Sequence, residues 1–233
     1  MVSLGWDGVI GTRNEGSLHA SLKEYYHQLG DMVEGSVDGY VIDLVQADRL
    51  VEIQTANFGA MKGKLEHLLQ NHQVHLVYPI AAERQLVLVA PETGELLNAR
   101  KSPKKGTIYD LFSELVRIPH LLPHPRLTVE ALLVIDQEIR CADGQGSWRR
   151  RGVSIVDRRL VEVVEQRSFV TAKDYLGVLP QGLLGPFTNK ELALACKIKV
   201  PQARKVTYTL KKAGFLTEVG KTGNEILHER VAN

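Results

Sequence analysis

The chain has 233 residues, of which 44% are hydrophobic and 24% charged, and carries a formal net charge of +2. These values exclude a collagen-like, coiled-coil or wholly disordered chain and leave room for one or two hydrophobic cores. No apolar run approaches the roughly 20 residues of a bilayer span, and the start lacks a basic region followed by an apolar block, so a cytoplasmic protein with no membrane partner is expected.

In chain order, Glu15 to Leu29 reads as an amphipathic helix, with Leu18, Leu22, Tyr25 and Leu29 on one stripe, Asn14 able to cap it and Gly30 as its stop. Val37 to Val45 and Leu50 to Thr55 are β-branched alternating runs joined by four residues, a hairpin signal. A second helix follows, with Asn57 as cap, Phe58, Met61 and Leu65 at helical spacing, and Lys62 and Lys64 on its polar face. Val74 to Ile80 and Gln85 to Ala90 read as short buried strands. Thr107 to Val116 reads as a helix, and Leu127 to Ile139 and Val153 to Val164 as strands. The polar loop between those strands holds Trp148-Arg149-Arg150-Arg151. The alternation of helices and strands points to an α/β or α+β sheet.

A Gly-, Pro- and Leu-rich break near Val178 to Gly185 precedes a segment of different charge. From Gly185 to Asn233 there are nine Lys or Arg against four Asp or Glu, a net of +5, which leaves −3 for the remainder. A basic tail on a mildly acidic body suits a nucleic-acid-facing module joined to a domain with another task. Thr188 and Glu191 form a capping box that opens a helix, and Pro201 suits the first turn of a second helix that Gly214 closes. Phe215 to Val219 and Glu225 to His228 are strand-like, with Lys221 in the turn between them.

The hairpin carries the chemistry. A turn symmetric about Ala47 and Asp48 places Asp43 opposite Glu52 and Val41 opposite Gln54. Alternation then puts Asp43, Glu52 and Gln54 on one face, with Ile42, Leu44, Val51 and Ile53 on the other. Facing carboxylates about 5 Å apart repel unless a cation sits between them or one is protonated. A hard divalent ion would resolve the repulsion. A solvated acidic face on an ordinary hairpin is the alternative. Asp38 has the opposite parity and stays outside this set. The histidine pairs His72/His75 and His120/His124 lack a partner at a fixed offset, and Cys141 and Cys196 belong to no metal-ligand spacing. No nucleotide-binding or serine-hydrolase motif is present, so no small-molecule cofactor is expected.

The strings Val41-Ile42-Asp43 and Leu50-Val51-Glu52-Ile53-Gln54-Thr55, between one helix and the next, resemble the core of the PD-(D/E)xK nuclease superfamily from roughly Glu15 to Ile80. That pattern is a helix bearing Glu, a strand bearing Asp, and a strand ending in E-x-K before a helix. The resemblance implies a restriction-endonuclease-like mixed sheet flanked by helices over residues 1–170. It also implies Mg²⁺, with Mn²⁺ as substitute, held by Asp43 and Glu52. Glu15 would supply the helix carboxylate, with Glu24 as runner-up. Gln54 stands where the family has Lys; its amide can position a water but brings no charge, and Lys62 or Lys64 could replace the missing cation.

The segment from Thr171 to Asn233 resembles a winged helix. That resemblance implies DNA as partner, with Gln202, Arg204, Lys205 and Thr207 toward the bases and Lys211, Lys212 and Lys221 toward phosphates. The expectation is a metal-dependent DNA nuclease, an endonuclease in preference to an exonuclease, with a homodimer admitted. The alternative is a nuclease-derived DNA-binding or regulatory protein that has lost catalysis. A third reading is an assembly subunit whose winged helix docks a protein.

Overall fold

The computed structural model describes residues 16–183 and 185–231. Asn14 and Glu15 lie outside them.

Helix α1 (Ser17–Tyr26) starts on Asp157, whose carboxylate accepts the Ser17 amide at 3.1 Å and the Ser17 hydroxyl at 2.6 Å. The expected stripe holds only for Leu18 and Leu22, which are buried; Tyr25 is exposed while Tyr26 turns inward and donates its hydroxyl to Glu130, and the exposed Leu29 lies beyond the helix, which ends at Tyr26. Strands β1 (Met32–Val37) and β2 (Tyr40–Val45) form an antiparallel hairpin. The run expected as one strand from Val37 is therefore broken at Asp38-Gly39. Both residues have positive φ (51° and 82°), as a tight two-residue hairpin turn requires.

Strand β3 (Leu50–Ile53) pairs with β2 in the expected register, Leu44↔Val51 and Val45↔Leu50. Helix α2 (Phe58–Leu68) follows, but its first amide is not capped by Asn57. Glu114 accepts the Phe58 amide at 2.9 Å, while Asn57 takes a left-handed conformation (φ 64°).

The two strands expected between Val74 and Ala90 are one long strand, β4 (Val74–Val89), whose neighbour changes along its length. Its start lies parallel to β3; its end lies antiparallel to β5 (Leu96–Lys101), a strand with no clear alternation in sequence. Between Val77 and Gln85 no described strand pairs with that edge, and the loop amides of Gly106 and Ser102 bond the Ala81 and Arg84 carbonyls. The other edge of β4 pairs along its length with the parallel strand β6 (Leu127–Cys141), which pairs antiparallel with β7 (Ser154–Phe169). The result is an open mixed seven-stranded sheet in the order β1-β2-β3-β4-β6-β7, with β5 on β4.

Helix α1 covers one face through Leu18, Leu22, Leu44, Val51, Ile53, Val77, Leu132 and Val134. On the opposite face lie α2 and a 3₁₀ turn (Ile108–Leu111) running into a short helix, α3 (Phe112–Leu115), where one continuous helix was expected. The C-terminal segment adds α4 (Ala172–Leu176), α5 (Asn189–Ala195), α6 (Val200–Lys212) and the hairpin β8 (Leu216–Thr222)–β9 (Glu225–Arg230). Capping boxes at Thr171/Asp174 and Thr188/Glu191 start α4 and α5.

Among the described residues this segment shares a buried cluster with the sheet. Leu111, Phe112 and Leu115 belong to the same buried cluster as Ala203, Val206, Leu210 and Phe215. The stacked rings Phe169–Tyr175–Phe215, with centroids 5.1 and 5.4 Å apart, tie the end of β7 to α4 and to the chain after α6.

A candidate carboxylate site on the central hairpin

The β2–β3 ladder stops beyond Leu44↔Val51, leaving Asp43 and Glu52 as the next facing positions. The Ile53 amide, which a continued ladder would give to the Ile42 carbonyl, is donated instead to Asp43 Oδ2 at 2.7 Å. A side chain has thus replaced a rung. The expected face assignment fails in part here: Ile42 joins the cluster under α2, whereas Leu44, Val51 and Ile53 join the one under α1. The change of face falls at Asp43.

The two carboxylates turn to different basic side chains. Asp43 Oδ2 lies 3.2 Å from His19 Nε2 on α1, and the same nitrogen is 2.9 Å from the Ile53 carbonyl oxygen. Both neighbours of that nitrogen are acceptors, so it must carry the proton. Burial pushes the Asp43 carboxyl upward, but the His19 and Ile53 bonds, with the charge of Lys23, outweigh it and hold the group below the usual carboxylate range. Glu52 is buried and binds Lys64 Nζ of α2, which also donates to the Val41 carbonyl at 2.6 Å. Here burial prevails over the lysine, and the Glu52 carboxyl is held above its ordinary value.

A third acid lies on β1. Glu34 falls between the paired positions Val33↔Leu44 and Gly35↔Ile42, has a positive φ (52°), and pairs at 2.7 Å with the buried Lys23 of α1. Glu34, Asp43 and Glu52 thus each meet a basic side chain from a covering helix. Among the described residues no three His, Cys, Asp or Glu side chains converge as a metal-ligand group. Gln54 follows β3, with its amide NH₂ turned back to the Ala56 carbonyl. Lys62 instead makes a surface pair with Glu66 at 3.8 Å. Glu24 is exposed, and Asp38 binds His72 at 2.8 Å.

Where β3 ends, the gap along β4 opens as a cleft of about 290 Å³, bounded by Leu18, Thr55, Tyr78, Arg84, Lys104 and Arg158 among others. Arg84, Asp136 and Arg158 on its wall belong to an ion network. Arg84 grips Asp136 through two bonds of 2.8 and 2.6 Å, and Glu138 accepts from Arg84, Arg140 and Arg158. These cations hold the Glu138 carboxyl down against the burial that raises it.

The candidate reading residues on α6 separate into two groups. Gln202 Nε2 donates to Asp110 at 3.0 Å and Lys205 Nζ to Ser113 at 3.0 Å, so both are engaged by the α3 region. Thr207 is buried and donates to Asn189 at 2.7 Å, which places it in the core and not on a reading surface. Arg204, Lys212 and Lys221 are exposed, and Lys211 pairs with Glu218.

Sequence reasoning missed His19, Lys23 and the Arg84–Asp136–Glu138 network. His19 and Lys23 are four apart on α1, a spacing that places them on one helix face toward the hairpin. Nothing in the sequence pairs Arg84 with residues fifty positions away.

The family description "Domain of unknown function (DUF8091)" matches residues 16–170. An uncharacterized protein of Treponema pallidum (strain Nichols) is 35% identical over 161 residues, which is 69% of this chain and 64% of that protein. The chain thus spans under two thirds of that relative's length. No solved structure matches. The family match covers α1 through β7, the whole sheet and the carboxylate pair, and the chain therefore belongs to the DUF8091 family.

Proposed function

We propose that this protein is a metal-dependent DNA nuclease whose centre is the Asp43–Glu52 pair. The supporting observation is the placement of two carboxylates at facing positions of adjacent strands, at the end of their ladder, with a helix lysine on one of them. The succession of α1, the β2–β3 hairpin and α2 also matches the helix, two strands and helix of the nuclease resemblance.

The donor set suits a hard cation, since Mg²⁺ is commonly held by one or two carboxylates with water completing its shell. Asp43 Oδ1 accepts no hydrogen bond from a described residue. A divalent ion held by Asp43 and Glu52 would supply Lewis acidity at a phosphoryl oxygen and favour ionisation of water. Lys64 brings to Glu52 the positive charge that Gln54 lacks. His19 orients Asp43, and Gln54 can turn its amide from Ala56 to hold a water. The C-terminal helices and hairpin follow winged-helix order, with DNA as the partner and Arg204, Lys212 and Lys221 as the contact residues left accessible.

Purified full-length protein should cut DNA in Mg²⁺ or Mn²⁺ and not in EDTA, and Asp43→Asn should lose cutting while keeping DNA affinity. Equal cutting by the variant would move the centre elsewhere. A second reading, a DNA-binding protein that has lost catalysis, is favoured by one feature: His19 and Lys64 already compensate the two carboxylates. It predicts salt-sensitive binding with no cutting in either metal.

A further inference from the structure

The loop between β6 and β7 is built rather than slack. Asp143 accepts the Gln145 amide at 3.0 Å and the Ser154 hydroxyl at 2.7 Å, and the Gly146 amide bonds the Gly152 carbonyl at 2.7 Å. Gly146 has no room for a side chain, since a Cβ there would lie 1.8 Å from the Val153 carbonyl oxygen. This frame holds a 3₁₀ turn, Trp148–Arg150, that lifts Trp148 into solvent at 83% exposure, with the Arg149 guanidinium 5.7 Å from its ring centroid. At that exposure Trp148 buries little apolar surface in the fold.

Basic side chains line two clefts, one beside this loop and one beyond the end of β3. Arg150, Arg140 and Arg100 line a small cleft beneath the loop, and Arg84, Arg158 and Lys104 line the larger cleft that ends at Thr55 and Leu18. Arg100, Lys104 and the three loop arginines pair with no carboxylate among the described residues. Asp157, which anchors the start of α1, lies on β7 roughly 13 Å from the loop's end by strand rise.

We propose that these basic clefts bind a single-stranded stretch of nucleic acid, its phosphates along the arginines and an unpaired base stacked on Trp148. Stacking on an aromatic face needs an unstacked base, and a groove of cations suits a flexible phosphate backbone. The assignment extends the proposed nuclease by giving it a substrate with an unpaired segment, but it concerns binding and does not depend on cleavage.

The test measures binding in EDTA, where no cutting can occur, by fluorescence anisotropy of labelled single-stranded, blunt duplex and tailed duplex oligonucleotides. The full chain is compared with Trp148→Ala, Trp148→Phe and the triple change of Arg149, Arg150 and Arg151 to Gln. Trp148→Ala should weaken single-strand and tailed-duplex binding about tenfold, the effect of one stacked base, and blunt duplex binding less than twofold. Trp148→Phe should recover most of the loss. The triple change should flatten the salt dependence for single strands by about 2 in log–log slope. Unchanged single-strand affinity in Trp148→Ala, an equal loss on blunt duplex, or no nucleic-acid binding by the parent chain would each overturn the proposal. A chain that binds as described but never cuts in Mg²⁺ would retain this site and refute only the nuclease reading. Trp148 is exposed, so matching melting curves will separate a lost contact from a lost fold.

Discussion

Lys64 donates at once to the Glu52 carboxylate and to the Val41 carbonyl, clamping α2 across two strands at the point where their ladder ends. A lysine there both compensates a buried acid and satisfies a free backbone acceptor. Replacing it by Met keeps the stem and removes both bonds. Lys64→Met should lower stability by about 1–3 kcal/mol, the cost of leaving a buried acceptor unsatisfied, as measured by urea unfolding at neutral pH. A loss confined to a few tenths of a kcal/mol would show that Glu52 finds another partner.

The two carboxylates should give opposite pH signatures. Asp43 is held below its ordinary value, so its contribution is present above the unfolded-state value and is lost as pH falls through the depressed folded value. Glu52 is held above its ordinary value, so its contribution is complete below the unfolded-state value and is lost as pH rises through the folded one. In denaturant melts between about pH 6 and about pH 3, the stability gap between the parent and Asp43→Asn should narrow toward acid. The gap to Glu52→Gln should shift in favour of the parent over the same range. Parallel curves would contradict the cited environments.

On the proposed DNA-binding reading, docking divides the residues that α6 can present. Lys205 and Gln202 bind Ser113 and Asp110, whereas Arg204 and Lys212 face solvent. Lys205→Ala should therefore leave duplex affinity within about twofold at moderate salt, while Arg204→Gln with Lys212→Gln should weaken it several-fold and lower the salt slope by about 2. Equal effects from the two sets would mean that α6 leaves its docked position on DNA.

Tyr175 is fully buried between Phe169 and Phe215, and its hydroxyl has no hydrogen-bond partner among the described residues. Tyr175→Phe removes a desolvated polar group while keeping the stack, and should stabilise the chain by about 1 kcal/mol. Tyr175→Ala should cost about 3–5 kcal/mol. Because the buried cluster runs from Leu111 to Phe215 without a break, the loss should appear as one cooperative transition in thermal melts. Two separate transitions would contradict a shared core.

Much of the central hairpin was legible, because a symmetric four-residue connection fixes register by counting and Leu44↔Val51 follows directly. The Asp38-Gly39 turn was legible in principle, but the β-branched run around it concealed it. Strand β5 and the unity of β4 were not, since both depend on which strand lies alongside. The partners of Asp43 and Glu52 come from separate helices, and pairings such as His19–Asp43 and Lys64–Glu52 are set by helix docking that no local pattern encodes. Gln202 and Lys205 sit at positions suited to base reading by helix geometry, and only the α3 contact shows them engaged elsewhere.

The most direct test of the carboxylate centre is incubation of the full chain with supercoiled, linear and branched DNA in Mg²⁺, Mn²⁺ or EDTA, beside Glu52→Ala and Gln54→Lys. A nuclease centred on Asp43 and Glu52 predicts metal-dependent cutting by the parent, none by Glu52→Ala despite retained binding, and undiminished cutting by Gln54→Lys. Cutting by Glu52→Ala at the parent's rate, or none by any of the three proteins in either metal, would contradict it.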